Sequence, residues 1–265
     1  MLKISDKTDI MIKMFRRSAR FLRNREVWRM AGNVFERSEI KYLVKNDIFE
    51  DVFRGVSEYM HVDKFGFSTI MNIYYDTENY DIIRESLDKP VYKEKIRLRS
   101  YGIPGRDSTV FLELKKKYQG VVYKRREVMK YSEALSFLAT GVPPRDGQIM
   151  REIAYFINTR KITPSVVLCY DRVAMFGYED PEQRVTFDEA IRYRFNDFDL
   201  SSGDQGELLL KNDDRLMEIK LSGAMPFWLV GILEKNGLYP TTFSKYGRIY
   251  TENFIKLHTG KVLTV

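Results

Sequence analysis

The chain has 265 residues, enough to bury a substantial core as one large domain or two small ones. Hydrophobic residues make up 44% of it and aromatics 14%, which excludes an intrinsically disordered chain. With 44 Lys+Arg against 37 Asp+Glu, the formal charge of +7 favours an anionic partner: nucleic acid, a membrane surface or a phosphorylated small molecule.

Rarer residues narrow the choice. Cys169 is the sole cysteine, which excludes an intrachain disulfide and a cysteine-built zinc site and points to a reducing compartment. His61 and His258 are the only histidines, so His-metal sites and Ser-His-Asp triads lack material. The N-terminal stretch MLKISDKTDIMIKMF has no uninterrupted apolar run of the secretory kind. The most apolar stretch, AMPFWLVGIL at 224–233, is far short of the ~20 residues a spanning helix needs. A soluble cytoplasmic protein is expected.

In chain order, residues 1–30 form a basic segment in which Lys13, Arg16, Arg17, Arg20, Arg23, Arg25 and Arg29 interleave with apolar positions at helical spacing. Residues 31–265 form the main domain. Strand 34–44 precedes a helix over 46–60 with a cap-like Asn46 or Asp47. Strand 68–77, a short helix over 79–89 and strand 93–102 follow. Residues 109–131 read as a hairpin turning at Gln119-Gly120. Helices over 132–140 and 148–160 flank a Gly/Pro turn, and Pro164 precedes a strand over 165–178. Strands 184–195, 206–211 and 215–223 come next, then helices over 226–237 and about 244–258. Roughly eight strands with many hairpin-length connections make a mainly antiparallel α+β domain. Neither GxGxxG nor GxxxxGK occurs, so any phosphate must be held mainly by side chains.

The strands carry charge on one face. In KEKIRLRSYG, Lys93, Lys95, Arg97 and Arg99 alternate with Ile96 and Leu98. The same alternation groups Arg37, Glu39 and Lys41; Glu113, Lys115 and Lys117; Tyr170 and Arg172; Arg184, Asp188, Arg192 and Arg194; and Glu218 and Lys220. One such strand is an ordinary solvent-facing pattern. Five or six imply a sheet whose apolar face is covered by helices. If that sheet curls into a barrel, its crowded cations need carboxylates and a polyanionic ligand.

In order along the chain, ERSEIKY, RLRSYG, FLELKKK, YKRRE, YDR, RVTFD, MEIK and FSKYGR resemble the VTC domain, the polyphosphate polymerase branch of the triphosphate tunnel metalloenzymes, over about residues 34–258. Each piece is weak alone; the ordered set is specific. The resemblance implies an antiparallel β-barrel with a charged interior and helices packed outside. It also implies transfer of the γ-phosphate of ATP to a growing polyphosphate chain with Mn²⁺ or Mg²⁺. By resemblance Lys41, Arg97, Arg99, Lys115, Arg172, Arg184, Lys220 and Lys245 hold phosphates, Tyr170 and Ser244 add hydrogen bonds, and Glu218 is the main metal ligand. Read from the strand alone, Glu218 is equally a salt-bridge partner of Lys220, and Tyr170 equally a half-buried sheet tyrosine. Arg37 and Arg126 join the substrate-binding set, although alternation does not separate Arg126 from Lys124 and Arg125. The partners implied are ATP and polyphosphate, with no specific nucleic acid.

Two departures matter. Arg37 occupies the first acid of the superfamily's Glu-x-Glu-x-Lys strand, which disfavours hydrolytic two-metal chemistry. Thr242 stands where eukaryotic polymerase members are expected to carry another lysine. The alternatives are a triphosphatase using the same site to activate water and a non-catalytic polyphosphate-binding module. Nucleic-acid binding has only the net charge in its favour, with no recognition-helix or zinc-finger signature.

Overall fold

The computed structural model describes residues 38–255 except residue 120, and gives no side-chain description for residue 255. The basic segment 1–30, Arg37 and His258 lie outside the described residues. In chain order the elements are β1 (Ser38–Val44), α1 (Phe49–Ser57), β2 (Met60–Asp76), α2 (Asp81–Leu87), β3 (Tyr92–Tyr101), β4 (Thr109–Tyr118) and β5 (Val121–Lys130). They continue as α3 (Tyr131–Thr140), α4 (Gln148–Arg160), β6 (Thr163–Gly177), β7 (Arg184–Arg194), β8 (Glu207–Leu208), β9 (Arg215–Leu221), α5 (Phe227–Lys235), β10 (Pro240–Thr241) and α6 (Lys245–Tyr250). The sheet order is β10-β1-β9-β7-β6-β2-β3-β4-β5, with β8 on β7, and the registered pairs are antiparallel. No helix among the described residues is long and apolar enough to cross a membrane.

Two compact units share the chain. Among the described residues, the first holds 38–67 together with Arg172–Asp188 and Asp214–Thr241. The second holds Ser68–Asp171, Glu189–Asp213 and 242–255. Each has its own apolar core.

In the second unit the alternation of β3 and β4 puts Ile96, Leu98, Leu112 and Leu114 on one face, all fully buried with Phe137 of α3 and Ile153 of α4. KEKIRLRSYG is therefore an ordinary strand in its apolar half: Ile96 and Leu98 face the helices. Truncating Leu98 to Ala is expected to remove about 2–5 kcal/mol of stability, read from urea unfolding, because the fully buried site leaves a cavity. In the first unit Val185 and Phe187 of β7 pack with Met217 and Ile219 of β9 and with Phe49, Val52 and Phe53 of α1. The even-numbered positions of both strands are thereby turned to the opposite face.

Several boundaries differ from the sequence expectation, each for a local reason. Helix α1 begins at Phe49, and neither Asn46 nor Asp47 caps it. Asn46 is instead committed to the start of β9: its N–H donates to Asp214 Oδ1 at 3.2 Å and its side chain accepts from Arg215 Nη1 at 3.0 Å. Strand β2 starts eight residues earlier than expected. Its alternation is interrupted where the Asp63 carboxylate accepts from the N–H groups of Phe65 and Gly66, the latter at φ +61°. The C-terminal helix stops at Tyr250 and widens into a π-turn over Thr251–Ile255. The two-residue strand β10 carries no periodicity to read.

Arg192 and Arg194 also depart from the expected face. Ala190 takes φ +44°, and beyond it the two arginines serve the loop at 197–205. Arg192 pairs with Asp171 at 3.0 Å and donates to the Asp204 carbonyl. Arg194 donates to the carbonyls of Asp197, Asp199, Gly203 and Gln205. These are loop anchors: Arg194 is occupied by backbone carbonyls, and Arg192 by the Asp204 carbonyl together with the carboxylates of Asp171 and Asp204.

Candidate functional site

In the second unit the polar face of the sheet is organised by register. Arg97 of β3, Glu113 of β4 and Arg126 of β5 lie opposite one another. Glu113 accepts from both: Arg97 Nε reaches Oε2 at 2.7 Å and Arg126 Nε reaches Oε1 at 2.8 Å. Arg99 lies 3.9 Å from the same carboxylate, donates to Asn72 Oδ1 at 3.0 Å and reaches the Tyr170 hydroxyl at 3.3 Å. Burial would raise the Glu113 carboxyl, but Arg97, Arg99 and Arg126 outweigh it and bring it down to about 2. It is a permanent anion among arginines. The next row is all cationic, with Lys95, Lys115 and Lys124 in register. Like charges directly opposite destabilise a sheet, so such a row marks a surface shaped for anions.

Tyr74 belongs to this cluster. It pairs with Arg97 in register and accepts a 3.0 Å hydrogen bond from Arg97 Nη1. Burial raises its phenol, yet Arg97, Arg99 and Lys95 bring it down to about 8. Its ring stacks on Tyr246 at 5.0 Å.

Helix α6 is held against the same unit by a buried clasp. The Tyr246 hydroxyl donates to Asp76 Oδ2 at 2.8 Å and lies 2.8 Å from Ser165 Oγ. Asp76 in turn accepts from the N–H groups of Thr77, Ile82 and Ile83, the last two in the first turn of α2. The clasp sets the position of the two residues before it. Ser244 caps α6, accepting from Gly247 N–H, and its Oγ is 3.2 Å from Lys95 Nζ. Lys245 Nζ stands 4.5 Å over the Tyr170 ring. Replacing Tyr246 with Phe is expected to cost about 1–3 kcal/mol in thermal unfolding, since a buried carboxylate loses a hydrogen bond. An unchanged melting curve would show that the clasp contributes nothing.

The first unit has its own charged face on β1, β9 and β7. One row reads Thr186, Glu218, Lys41 across the three strands; the next reads Arg184, Lys220, Glu39. Glu218 is 7% exposed. Lys220 forms a close ion pair with its Oε1, and Lys41 lies 3.8 Å from its Oε2 and 3.3 Å from Glu39. Burial alone would raise the Glu218 carboxyl; Lys220, Lys41 and Arg172 hold it well below the ordinary carboxylate range. Arg172 is committed to a fully buried Asp188 through two bonds, 2.5 and 2.8 Å. Arg184 stacks over Phe176 at 4.5 Å.

Of the residues singled out from sequence, the second unit thus brings together Arg97, Arg99, Lys115, Arg126, Tyr170, Ser244 and Lys245. The first brings together Lys41, Arg172, Arg184, Glu218 and Lys220. Arg126 is the member of its basic triplet that joins Arg97 on Glu113, whereas Arg125 turns to Glu152 of α4. Asn72 and Tyr74 went unnoticed in sequence, and so did Thr186. Asn72, Tyr74 and Asp76 alternate with the buried Met71, Ile73 and Tyr75, a period-2 signal hidden in a stretch that reads as simply apolar. Among the described residues no group of three or more His, Cys, Asp or Glu gathers as a metal cage.

The family model of the VTC domain matches residues 36–252. The chain belongs to the VTC domain family. Its fold class is the antiparallel α+β class that family implies, with charged side chains on one face of the sheet and helices on the other. The barrel expected from the resemblance is not closed among the described residues, the strand order running open from β10 to β5. No curated protein gave a sequence match. Among solved structures, a Bacillus halodurans protein described as a "putative adenylate cyclase" (bh2851) is similar in fold, at TM-score 0.50 and 15% identity over 82% of this chain and 96% of that one. HpAC1 from Hippeastrum, for which a dominant triphosphatase activity is described, matches at TM-score 0.48 and 15% identity over 85% and 96% of the two chains.

Proposed function

We propose that this protein is a polyphosphate polymerase: it transfers the γ-phosphate of ATP to a growing polyphosphate chain with the help of a divalent metal. The observation that carries the reading is the sheet's registered rows of cations around permanently ionised carboxylates, in a VTC-family chain with no glycine-rich phosphate loop. In the second unit Arg97, Arg99 and Arg126 present guanidinium forks, and Lys95, Lys115 and Lys245 point charges, suited to phosphate oxygens. Tyr170 and Ser244 supply hydroxyls. In the first unit Lys41, Arg172, Arg184 and Lys220 play the same part. Arg37 is assigned to substrate binding from the sequence.

Phosphoryl transfer asks the protein for alignment and charge neutralisation more than for covalent help. A terminal oxygen of the acceptor chain attacks the γ-phosphorus while its bond to the ADP oxygen breaks, and the cations take up the charge on the equatorial oxygens. Glu218 fits a Mg²⁺ or Mn²⁺ ligand, being buried and ionised beside phosphate-binding cations. With no cluster of three or more such ligands among the described residues, substrate oxygens and water would complete the shell. The metal would neutralise phosphate charge and orient the transferring group. A cytoplasmic location fits the lone buried Cys169, whose thiol burial pushes up to about 11.

Incubating the pure full chain with ATP and Mn²⁺ is expected to yield ADP and lengthening polyphosphate, both metal-dependent. Free phosphate without chain growth would replace this reading with a triphosphatase. Tight polyphosphate binding without turnover, unchanged by Glu218→Gln, would replace it with a binding module.

A further inference from the structure

The first unit holds a group that neither the core nor the ion pairs use. Thr186 of β7 is 3% exposed, and its hydroxyl has no hydrogen-bond partner. Buried hydroxyls are nearly always partnered, because an unmade bond leaves the full desolvation penalty. The side chain is not facing the apolar core. Val185 and Phe187 occupy that side, so Thr186 shares the charged face with Arg184 and Asp188. Across the ladder it stands directly opposite Glu218, with Lys41 next in the row.

We propose that Thr186 is a substrate-contacting residue whose hydroxyl donates a hydrogen bond to a phosphate oxygen bound beside Glu218. This rests on the phosphate-handling reading given above. The surroundings favour an anion over a cation as the hydroxyl's partner: Lys41, Lys220, Arg172 and Arg184 crowd the face, and its acids are already engaged. Glu218 is held by Lys220 and Lys41, Glu39 by Lys41, and Asp188 by both arms of Arg172. A neutral donor can add a directed contact there without adding charge. The bound phosphate, in turn, satisfies the hydroxyl.

The test compares the full-length wild type with Thr186→Val, Thr186→Ala and Thr186→Ser. Tripolyphosphate affinity is measured by calorimetry with and without Mn²⁺, and melting temperature without ligand. Thr186→Val is expected to melt at or above wild type and, like Thr186→Ala, to bind tripolyphosphate about tenfold more weakly with or without Mn²⁺. Thr186→Ser is expected to stay within about twofold. Wild-type affinity in both hydroxyl deletions would overturn the assignment. So would a loss seen only with Mn²⁺, which would make the hydroxyl a metal ligand, or a collapse of the ligand-free melting temperature in both, which would make it structural. A wild type that binds no tripolyphosphate would instead bring down the functional reading itself, and this inference with it.

Discussion

Glu218→Gln is expected to lower metal-dependent ADP release by at least ~100-fold while tripolyphosphate binding without metal persists. Gln keeps the shape of the side chain and removes the charge, and the charge is what matters at this position. The carboxylate is buried on a face with Lys41, Lys220 and Arg172, and those cations hold it ionised. It is the one anion of its row, and a divalent ion would have to compete there with Lys220 and Lys41, which keep access to solvent, whereas Asp188 is locked to Arg172 through both oxygens. The cations that would hold phosphate remain. Stability should fall by only about 1–3 kcal/mol, because the two lysines keep access to solvent at 25% and 23% side-chain exposure. ADP release titrated with Mn²⁺, alongside calorimetry of tripolyphosphate, reads both effects. Turnover at the wild-type rate in the variant would end the metal assignment.

Glu113→Gln is expected to act on stability more than on chemistry, and to be the more damaging of the two for the fold. Glu113 is 12% exposed in its side chain and is the common acceptor of Arg97 and Arg126, with Arg99 close by. Its carboxyl lies at about 2 in the folded chain against 4.5 ordinarily, a difference equivalent to about 3 kcal/mol. The sign follows from the depression: this contribution is complete above about pH 4.5 and is lost as pH falls toward 2. Wild type should therefore lose stability steeply across that window, and the variant much less. At neutral pH the variant should melt about 6–12 °C lower, the equivalent of about 3 kcal/mol in a chain of this size. Tripolyphosphate should recover part of the loss, since it offers the abandoned arginines another anion. A variant with the wild-type acid transition would show that Glu113 does not carry it.

How much of this was visible beforehand can be judged strand by strand. The apolar half of β3 and β4 was legible because a period of two sorts Ile96, Leu98, Leu112 and Leu114 onto one face wherever the partners lie. The order of elements was equally legible, and the eight motifs along it pointed to the family. Boundaries failed where tertiary contacts overrode local signals. Asn46 looks like a helix cap, but Asp214 and Arg215, far along the chain, claim it. Arg192 and Arg194 follow the alternation of β7, but Ala190 at positive φ and the carbonyls of loop 197–205 take them out of the charged row.

By itself, then, the sequence determined the apolar faces of the strands and the family, because alternation and motif order are properties of the chain taken locally. Only the tertiary structure decided which acid answers which base. Register between strands is set by packing and turns, and a slip of one residue would exchange every facing side chain. That register seats Glu113 between Arg97 and Arg126, sets Lys95 opposite Lys115, and leaves the Thr186 hydroxyl beside Glu218 with no partner of its own.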